Sequence, residues 1–121
     1  MADISCEVLV VHCIDYRLQA YLNSWLEKNP GSGNYDRVGI AGGVLDIYPV
    51  LKQIELALRI HGIRKVILVN HEDCGAYGSR GTFEQHKADL TEAERKIHAL
   101  HTTLIIEKYY LKLDGTFERV Y

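Results

Sequence analysis

The stretch KVILVNHEDCG, residues 65–75, decides the fold class. It contains the most apolar run in the chain, as expected of a central parallel strand that is buried on both faces. The run leads directly to His71, and Cys74 follows three positions later. We therefore predict a strand from Arg64 to Asn70 that ends in a functional loop, because ligands bind at the carboxyl ends of strands in open α/β sheets.

The rest of the chain alternates β-branched runs with segments of helical period, which is typical of α/β proteins. Strands are predicted at about 4–13, 35–41 and 64–70, and helices at about 18–28 and 46–61. A Thr-x-x-Glu capping box at Thr91 and Glu94 predicts a third helix that ends near His101, after a polar loop that runs through Gly81. The last 18 residues are predicted to form two strands that turn at Asp114-Gly115.

These elements predict one α/β domain over residues 1–121. We expect a Rossmann-like, mostly parallel sheet of strand order 2-1-3-4, with a C-terminal antiparallel edge strand and flanking helices. The helix at 46–61 has a second apolar stripe, Tyr48, Leu56 and Ile60, beside the one that should face the core. A helix with two apolar sides is usually buried on both. This second stripe is a candidate interface between subunits, against the alternative of packing within the chain.

Charge and hydropathy exclude several classes of partner. The chain has 14 Lys and Arg against 16 Asp and Glu, a net charge of -2 and no basic run, so neither nucleic acid nor an anionic membrane is an expected partner. The N-terminal apolar run, Val8 to Val11, is much shorter than a membrane span or a signal-peptide core. We expect a cytoplasmic protein with a small-molecule substrate.

Three cysteines, Cys6, Cys13 and Cys74, cannot all pair within one chain, and a reducing compartment favours metal binding or thiol chemistry. His71 and Cys74 have a spacing that lets both side chains reach one ion, and imidazole and thiolate are ligands that zinc prefers. Cys13 lies at the end of the first strand, which commonly neighbours the third at the switch point of such sheets. Cys13, His71 and Cys74 together predict a zinc site with an open fourth position, as in catalytic zinc centres.

The segment CIDYR, residues 13–17, alternates a cysteine, a carboxylate and a guanidinium. In an extended segment this period of two places Cys13, Asp15 and Arg17 on one side. Asp15, oriented by Arg17, is therefore a candidate to accept a hydrogen bond beside the open zinc position.

Plainer interpretations stay open at this point. Asp15 could simply cap the helix that follows, and Arg17 could be a solvated residue in its first turn. Cys13 and Cys74 could be ordinary buried thiols or a thiol–disulfide switch, although a switch leaves His71 unexplained. Cys6 falls on the other face of an extended strand from Cys13, and we expect it to pack in the core. His12 also faces away from Cys13 and is expected to be structural.

Three motifs carry a family resemblance: Cys-x-Asp-x-Arg at 13–17, Ala-Gly-Gly at 41–43 and His-x-x-Cys-Gly at 71–75. In this order at strand ends they resemble the β-class carbonic anhydrases, and the similarity extends over most of the chain. The resemblance implies reversible hydration of carbon dioxide to bicarbonate and a proton by zinc-bound hydroxide. It further implies that Cys13, His71 and Cys74 bind Zn²⁺, that Asp15 and Arg17 form a catalytic dyad, and that the chain forms a homodimer or a higher homo-oligomer.

The sequence also departs from the family pattern. It begins almost at the first strand, so the N-terminal helical arm of the family is expected to be missing. Gly39-Ile40 replaces the usual Arg-Asn before Ala-Gly, and the bulky Tyr16 lies between the dyad residues. These changes concern the shape of the pocket, so hydrolysis of carbonyl sulfide or carbon disulfide at the same site is an alternative. A non-catalytic zinc-binding or redox-sensing protein is another.

Overall fold

The computed structural model describes residues 3–121. It contains the strands β1 (Val8–His12), β2 (Tyr35–Gly39), β3 (Lys65–His71), β4 (Ile105–Leu111) and β5 (Phe117–Val120), and the helices α1 (Gln19–Leu26), α2 (Ile47–His61) and α3 (Phe83–Leu100). A short 3₁₀ turn at Tyr16–Leu18 precedes α1, and a wide helical turn at Glu27–Gly31 follows it.

The five strands form one sheet of order β2-β1-β3-β4-β5. The first four strands run parallel, and β5 pairs antiparallel with β4 after the turn at Asp114-Gly115. The predicted fold class, strand order and C-terminal hairpin are therefore confirmed. In this order β1 and β3 are neighbours. The helix that follows β1 lies on one face of the sheet and the helix that follows β3 lies on the other, so the switch point is between these two strands.

Helices cover both faces of the sheet. On one face α1 packs on alternate residues of the central strands, and on the other α2 and α3 bury the intervening ones. Five consecutive residues of β3, from Val66 to Asn70, are at most 2 % exposed. This burial on both faces explains why the sequence of β3 is continuously apolar rather than alternating.

Two local features fix the ends of α2, which lie close to the predicted bounds of 46–61. The side chain of Asp46 accepts a hydrogen bond from the amide of Tyr48 at 3.2 Å and so caps the helix at its first turn. Gly62 ends the helix with φ of 63°, a left-handed conformation that glycine adopts without a steric penalty.

The predicted start of the third helix is wrong. α3 begins at Phe83, not near Thr91, and Thr82 caps it by accepting a hydrogen bond from the Gln85 amide at 3.1 Å. Thr82 and Gln85 have the Thr-x-x-Gln form of the same capping signature, and this earlier pair is the one at the helix start. The segment between them and Thr91 is polar because much of it faces solvent, which made it resemble a loop. β1 is also shorter than predicted, beginning at Val8 rather than Ile4.

The second apolar stripe of α2 is left uncovered by the rest of the chain at two of its three positions. Tyr48 is 76 % exposed and Ile60 is 46 % exposed, whereas Leu56 is half-buried. Packing within the chain therefore does not account for this stripe, and a subunit interface stays a prediction. Over residues 3–121, no helix combines the length and the apolar composition that a membrane span requires.

Candidate metal centre

Cys13, His71 and Cys74 converge at the switch point of the sheet. Cys13 directly follows β1, His71 is the last residue of β3, and Cys74 lies in the loop beyond it. All three are buried, and their donor atoms lie within 4.8 Å of one another. We refer to these residues as the Cys–His–Cys cluster. Parallel strands end at the same edge of a sheet, so the two motifs meet although they are about 60 residues apart in the chain.

The donor atoms of this cluster suit a zinc ion. The Sγ atoms of Cys13 and Cys74 are 4.0 Å apart, and two sulfurs at about 2.3 Å from a tetrahedral zinc would lie about 3.8 Å apart. His71 donates from Nδ1 to the carbonyl of Glu72 at 2.7 Å, so that Nε2 presents its lone pair. That Nε2 is buried without a hydrogen-bond partner among the described residues. A buried ring nitrogen that receives no hydrogen bond is typical of a metal ligand. Histidine ligands commonly donate from the other ring nitrogen to a carbonyl, as His71 Nδ1 does here, and this bond orients the ring.

The Ala41-Gly42-Gly43 turn supports Cys13 from the neighbouring strand. The amide of Gly42 donates to Cys13 Sγ at 3.3 Å. Gly42 and Gly43 have φ of 84° and 62°, which favour glycine. A Cβ on Gly43 would also lie 2.3 Å from Asn70 Oδ1, so the turn has no room for a side chain there.

The two cysteines differ electrostatically. Burial by itself would raise the pKa of the Cys13 thiol, but the adjacent His71 imidazole and the Gly42 amide together lower it to about 7. The pKa of Cys74 is raised, first by burial and also by the neighbouring Cys13. Cys13 is therefore the thiol that ionises first, and the Gly42 amide is the donor that bonds to its sulfur.

Asp15 and Arg17 lie beside the cluster. The Asp15 carboxylate accepts bonds from Arg17 Nη2 at 2.7 Å and from Nε at 3.1 Å, and also from the backbone amide of Arg17 at 2.9 Å. Bonding to the Arg17 side chain lowers the pKa of Asp15 to about 2, so the carboxylate is ionised at all ordinary pH values. Asp15 Oδ2 is 3.9 Å from His71 Nε2. Asp15 therefore both caps the 3₁₀ turn and lies beside the cluster, so a capping role does not exclude a role in the site.

Sequence reasoning missed two residues, Asp73 and Gln19, that hold this arrangement. Asp73, inside the HEDC segment, accepts from Arg17 Nη1 at 3.1 Å through its carboxylate and from Nη2 at 2.9 Å through its carbonyl. It has a positive φ of 56°, which aspartate tolerates better than most residues. Gln19 donates to the carbonyls of Cys13 and Asp15 at 3.2 and 2.8 Å. The position of Asp73 between the candidate ligands His71 and Cys74 was a usable signal, whereas nothing in the sequence singled out Gln19.

A buried polar network lies behind the β3 end and was also missed. Asn70 accepts from the Val44 amide at 3.1 Å and donates to Tyr77 Oη at 3.0 Å and to His86 Nδ1 at 2.9 Å. Tyr77 in turn donates to Asp89 at 2.7 Å. Burial lowers the pKa of His86 to about 4, so His86 stays neutral in this network. The network ties α3 to the residues that flank His71 and Cys74, which restricts the loop that carries them.

A cavity of about 590 Å³ opens onto Cys13, Asp15 and Arg17. Its wall also includes Ile14, Tyr16, Ala41, Asp73, Gly75 and Ala76. Tyr16 is 86 % exposed, and the side chains of Asp15 and Arg17 bond directly to each other. A slightly larger cavity, of about 650 Å³, lies at the amino ends of the strands, away from the Cys–His–Cys cluster.

The remaining candidates take structural positions. His12 is buried and donates from Nδ1 to the Cys13 carbonyl at 2.8 Å, while Arg37 donates to its Nε2 at 2.8 Å. Both ring nitrogens are occupied, as expected of a structural histidine. Cys6 is only half-buried beside the larger core cluster, so the prediction that it belongs to the core holds in part.

Comparison with known proteins identifies the family to which the chain belongs. The sequence profile of a family described as "Putative carbonic anhydrase" matches residues 4–121. The chain belongs to this carbonic anhydrase family. An uncharacterized protein from Rickettsia conorii is 26 % identical over 132 aligned residues, which cover 93 % of this chain and 71 % of that protein.

Solved structures show that this member of the carbonic anhydrase family has a β-carbonic anhydrase-like fold. A carbonic anhydrase from Streptococcus mutans superposes with a TM-score of 0.67 at 22 % identity, covering all of this chain and 86 % of the other. The apo form of a carbon disulfide hydrolase superposes with a TM-score of 0.56 at 15 % identity, covering 91 % and 75 %. At these identities the similarity establishes the fold, and two activities occur among proteins that share it.

Proposed function

We propose that this protein is a zinc-dependent carbonic anhydrase that catalyses the reversible hydration of carbon dioxide to bicarbonate and a proton. One observation carries the proposal: an ionised Asp15, held by Arg17, lies 3.9 Å from Nε2 of His71 in the Cys–His–Cys cluster, and that nitrogen has no hydrogen-bond partner within residues 3–121. A purely structural zinc site needs no adjacent carboxylate of this kind. The family profile, which matches residues 4–121, supports the same activity.

Cys13, His71 and Cys74 would hold the zinc ion and leave one coordination position toward the cavity. Bound there, zinc would supply a Lewis acid that lowers the pKa of water at that position. Two thiolates and a neutral imidazole would balance the charge of the ion. The Gly42 amide would keep Cys13 in place, and the Glu72 carbonyl would keep His71 in the tautomer that presents Nε2.

The role of Asp15 follows from its ionisation. A carboxylate can only accept hydrogen bonds, so Asp15 orients a reacting group that still carries a proton and disfavours one that presents only lone pairs. Arg17 keeps Asp15 charged and fixes its position through two parallel N–H···O bonds. In this arrangement Asp15 is the catalytic residue of the pair, and Arg17 is its positioning residue.

The same arrangement supports a second candidate, the hydrolysis of carbon disulfide or carbonyl sulfide. These molecules are linear and have an electrophilic carbon, as carbon dioxide does. The specific observation in favour is that apolar side chains, Ile14, Tyr16, Ala41 and Ala76, line much of the cavity. Carbon dioxide remains our first choice because the matching family profile is that of a carbonic anhydrase.

A stopped-flow assay of carbon dioxide hydration on zinc-loaded protein tests the proposal. We expect hydration by the wild type, and a loss of kcat of about 100-fold or more in Asp15→Ala with unchanged zinc content. Asp46→Ala is the matched control, because it also removes a helix-capping aspartate but lies outside the cavity wall.

The outcomes separate the candidates. Stoichiometric zinc with no hydration, but with release of hydrogen sulfide from carbon disulfide or carbonyl sulfide, would replace the first function by the second. Stoichiometric zinc with neither activity would assign the cluster to a binding or redox-sensing role, and Cys13–Cys74 disulfide formation would then be the next measurement.

A further inference from the structure

We propose that Cys6, Asp36 and His61 form a second zinc-binding site, at the amino ends of the strands. Cys6 lies two residues before β1, Asp36 is the second residue of β2, and His61 is the last residue of α2. Their sulfur, oxygen and nitrogen donor atoms all lie within 4.8 Å of one another. We call these three residues the amino-end cluster.

The packing of three elements brings the amino-end cluster together. Asp36 pairs with Leu9 of β1, whose side chain faces α2, so Asp36 also points to the α2 side of the sheet. His61 Nδ1 is 2.6 Å from Asp36 Oδ2. The Cys6 amide donates to the His61 carbonyl at 3.1 Å, which fixes the backbone of the first segment against the end of α2.

The chemistry of this set matches zinc. Thiolate sulfur, imidazole nitrogen and carboxylate oxygen are the three side-chain ligand types that Zn²⁺ takes in proteins. One thiolate and one carboxylate would neutralise the ion together with a neutral histidine. Burial and, second to it, the adjacent Asp36 carboxylate raise the pKa of the Cys6 thiol.

The side chains have the freedom that coordination needs. His61 and Asp36 are 30 % and 29 % exposed, and Cys6 is half-buried. Asp36 and His61 also line a cleft of about 270 Å³ between β2 and α2, which gives an ion a path from solvent. The His61–Asp36 bond holds two of the donors close together before an ion arrives.

The amino-end cluster is separate from the Cys–His–Cys cluster. Cys6 and Cys13 are seven residues apart across the length of β1, which corresponds to about 20 Å in an extended chain. Neither site shares a ligand with the other, and the proposal does not depend on the carbonic anhydrase activity. A zinc ion here would link the segment before β1 to β2 and α2, so its expected effect is on stability.

Zinc stoichiometry of the full-length protein tests the proposal. We expect two Zn²⁺ per wild-type chain by equilibrium dialysis and mass spectrometry. Cys6→Ser and Asp36→Asn should each bind one ion, at the Cys–His–Cys cluster. Cys13→Ser should also bind one ion, at the amino-end cluster. Glu55→Gln, which alters an exposed carboxylate elsewhere on α2, is the matched control and should keep both ions. Carbon dioxide hydration, if present, should be retained in Cys6→Ser, because its first site is intact.

The alkylation rate of Cys6 reports zinc binding at the amino-end cluster and does not depend on zinc affinity at the Cys–His–Cys cluster. In the Cys13→Ser, Cys74→Ser double variant, Cys6 is the remaining thiol. Saturating zinc should slow its reaction with iodoacetamide at least about tenfold, and Asp36→Asn should remove that protection. Equal alkylation rates with and without zinc, or one zinc per wild-type chain that Cys6→Ser does not change, would overturn the proposal.

Discussion

Arg17 binds Asp15 through two nitrogens, with Nη2 2.7 Å from Oδ2 and Nε 3.1 Å from Oδ1. The same guanidinium reaches the carboxylate and the carbonyl of Asp73 in the loop between two candidate zinc ligands. Arg17 thus joins the segment after β1 to the loop after β3. This link makes the position of Asp15 sensitive to the shape of the guanidinium and not only to its charge.

Substituting Arg17 by lysine tests that sensitivity. An ammonium group keeps the charge but cannot form two parallel bonds to Asp15 and reach Asp73 as well. We expect Arg17→Lys to lower kcat for carbon dioxide hydration by about 10- to 100-fold, the range typical of residues that orient a metal site. Zinc content should not change. Arg80→Lys, which alters an exposed arginine six residues beyond Cys74, is the control and should behave as wild type.

Asp73 should matter much less than Asp15. Its side chain is 72 % exposed, and exposed salt bridges contribute little. Its carbonyl would still accept from Arg17 after substitution. We therefore expect Asp73→Asn to stay within about threefold of wild-type hydration, whereas Asp15→Asn should lose most of its activity. Equal losses in the two variants would show that Arg17 requires both carboxylates.

Substitution by alanine should destabilise the protein more at Gly43 than at Gly33, although both glycines have a positive φ. Gly43→Ala places a Cβ 2.3 Å from Asn70 Oδ1, whereas an added Cβ at Gly33 meets nothing within 4 Å. Both residues have a φ that disfavours alanine, so Gly33→Ala measures the backbone cost alone, about 1 kcal/mol. Gly43→Ala should lower the free energy of unfolding by about 2–4 kcal/mol. Urea unfolding of both variants checks the difference, and equal losses would contradict it.

His86 makes stability depend on pH. Its pKa falls from an ordinary 6.5 to about 4 on folding, first because of burial, so the unfolded chain binds a proton more readily between these values. The contribution of neutral His86 to stability is complete above pH 6.5 and is lost progressively as the pH falls to about 4. The loss should reach up to about 3 kcal/mol.

His86→Gln should therefore flatten the pH dependence of the free energy of unfolding over this interval. Burial also lowers the pKa of His12, so part of the slope should remain. Lys87→Gln, at an exposed neighbouring position, should leave the slope unchanged. Urea titrations at matched zinc loading provide the measurement, and an unchanged slope in His86→Gln would refute the prediction.

The exposed stripe on α2 predicts association between copies of the chain. Tyr48 and Ile60 are large apolar side chains that the rest of the chain leaves exposed. We expect the wild type to elute as a dimer or larger, and Ile60→Glu to dissociate it, because burying a charge at an apolar interface is costly. Glu55→Gln is the control for the same helix. Light scattering that shows a wild-type monomer at micromolar concentration would contradict this expectation.

Local patterns predicted most of the fold. The apolar run of β3, the bounds of α2 and the turn at Asp114-Gly115 each follow from features that act over a few residues, so the sequence shows them directly. The start of α3 was missed because its first two turns are largely solvated, and a polar helical segment has the same composition as a loop.

The sequence by itself determined the Cys–His–Cys cluster and the Asp15–Arg17 pair, because these residues lie at the ends of parallel strands whose order the strand–helix alternation implies. Only the tertiary structure decided that Asp73 shares Arg17, that Asn70 connects His86 to Tyr77, and that Cys6 meets Asp36 and His61. The physical reason is the same in each case. Which side chains from distant segments come within bonding distance depends on how helices pack on the sheet, and no local pattern records that packing.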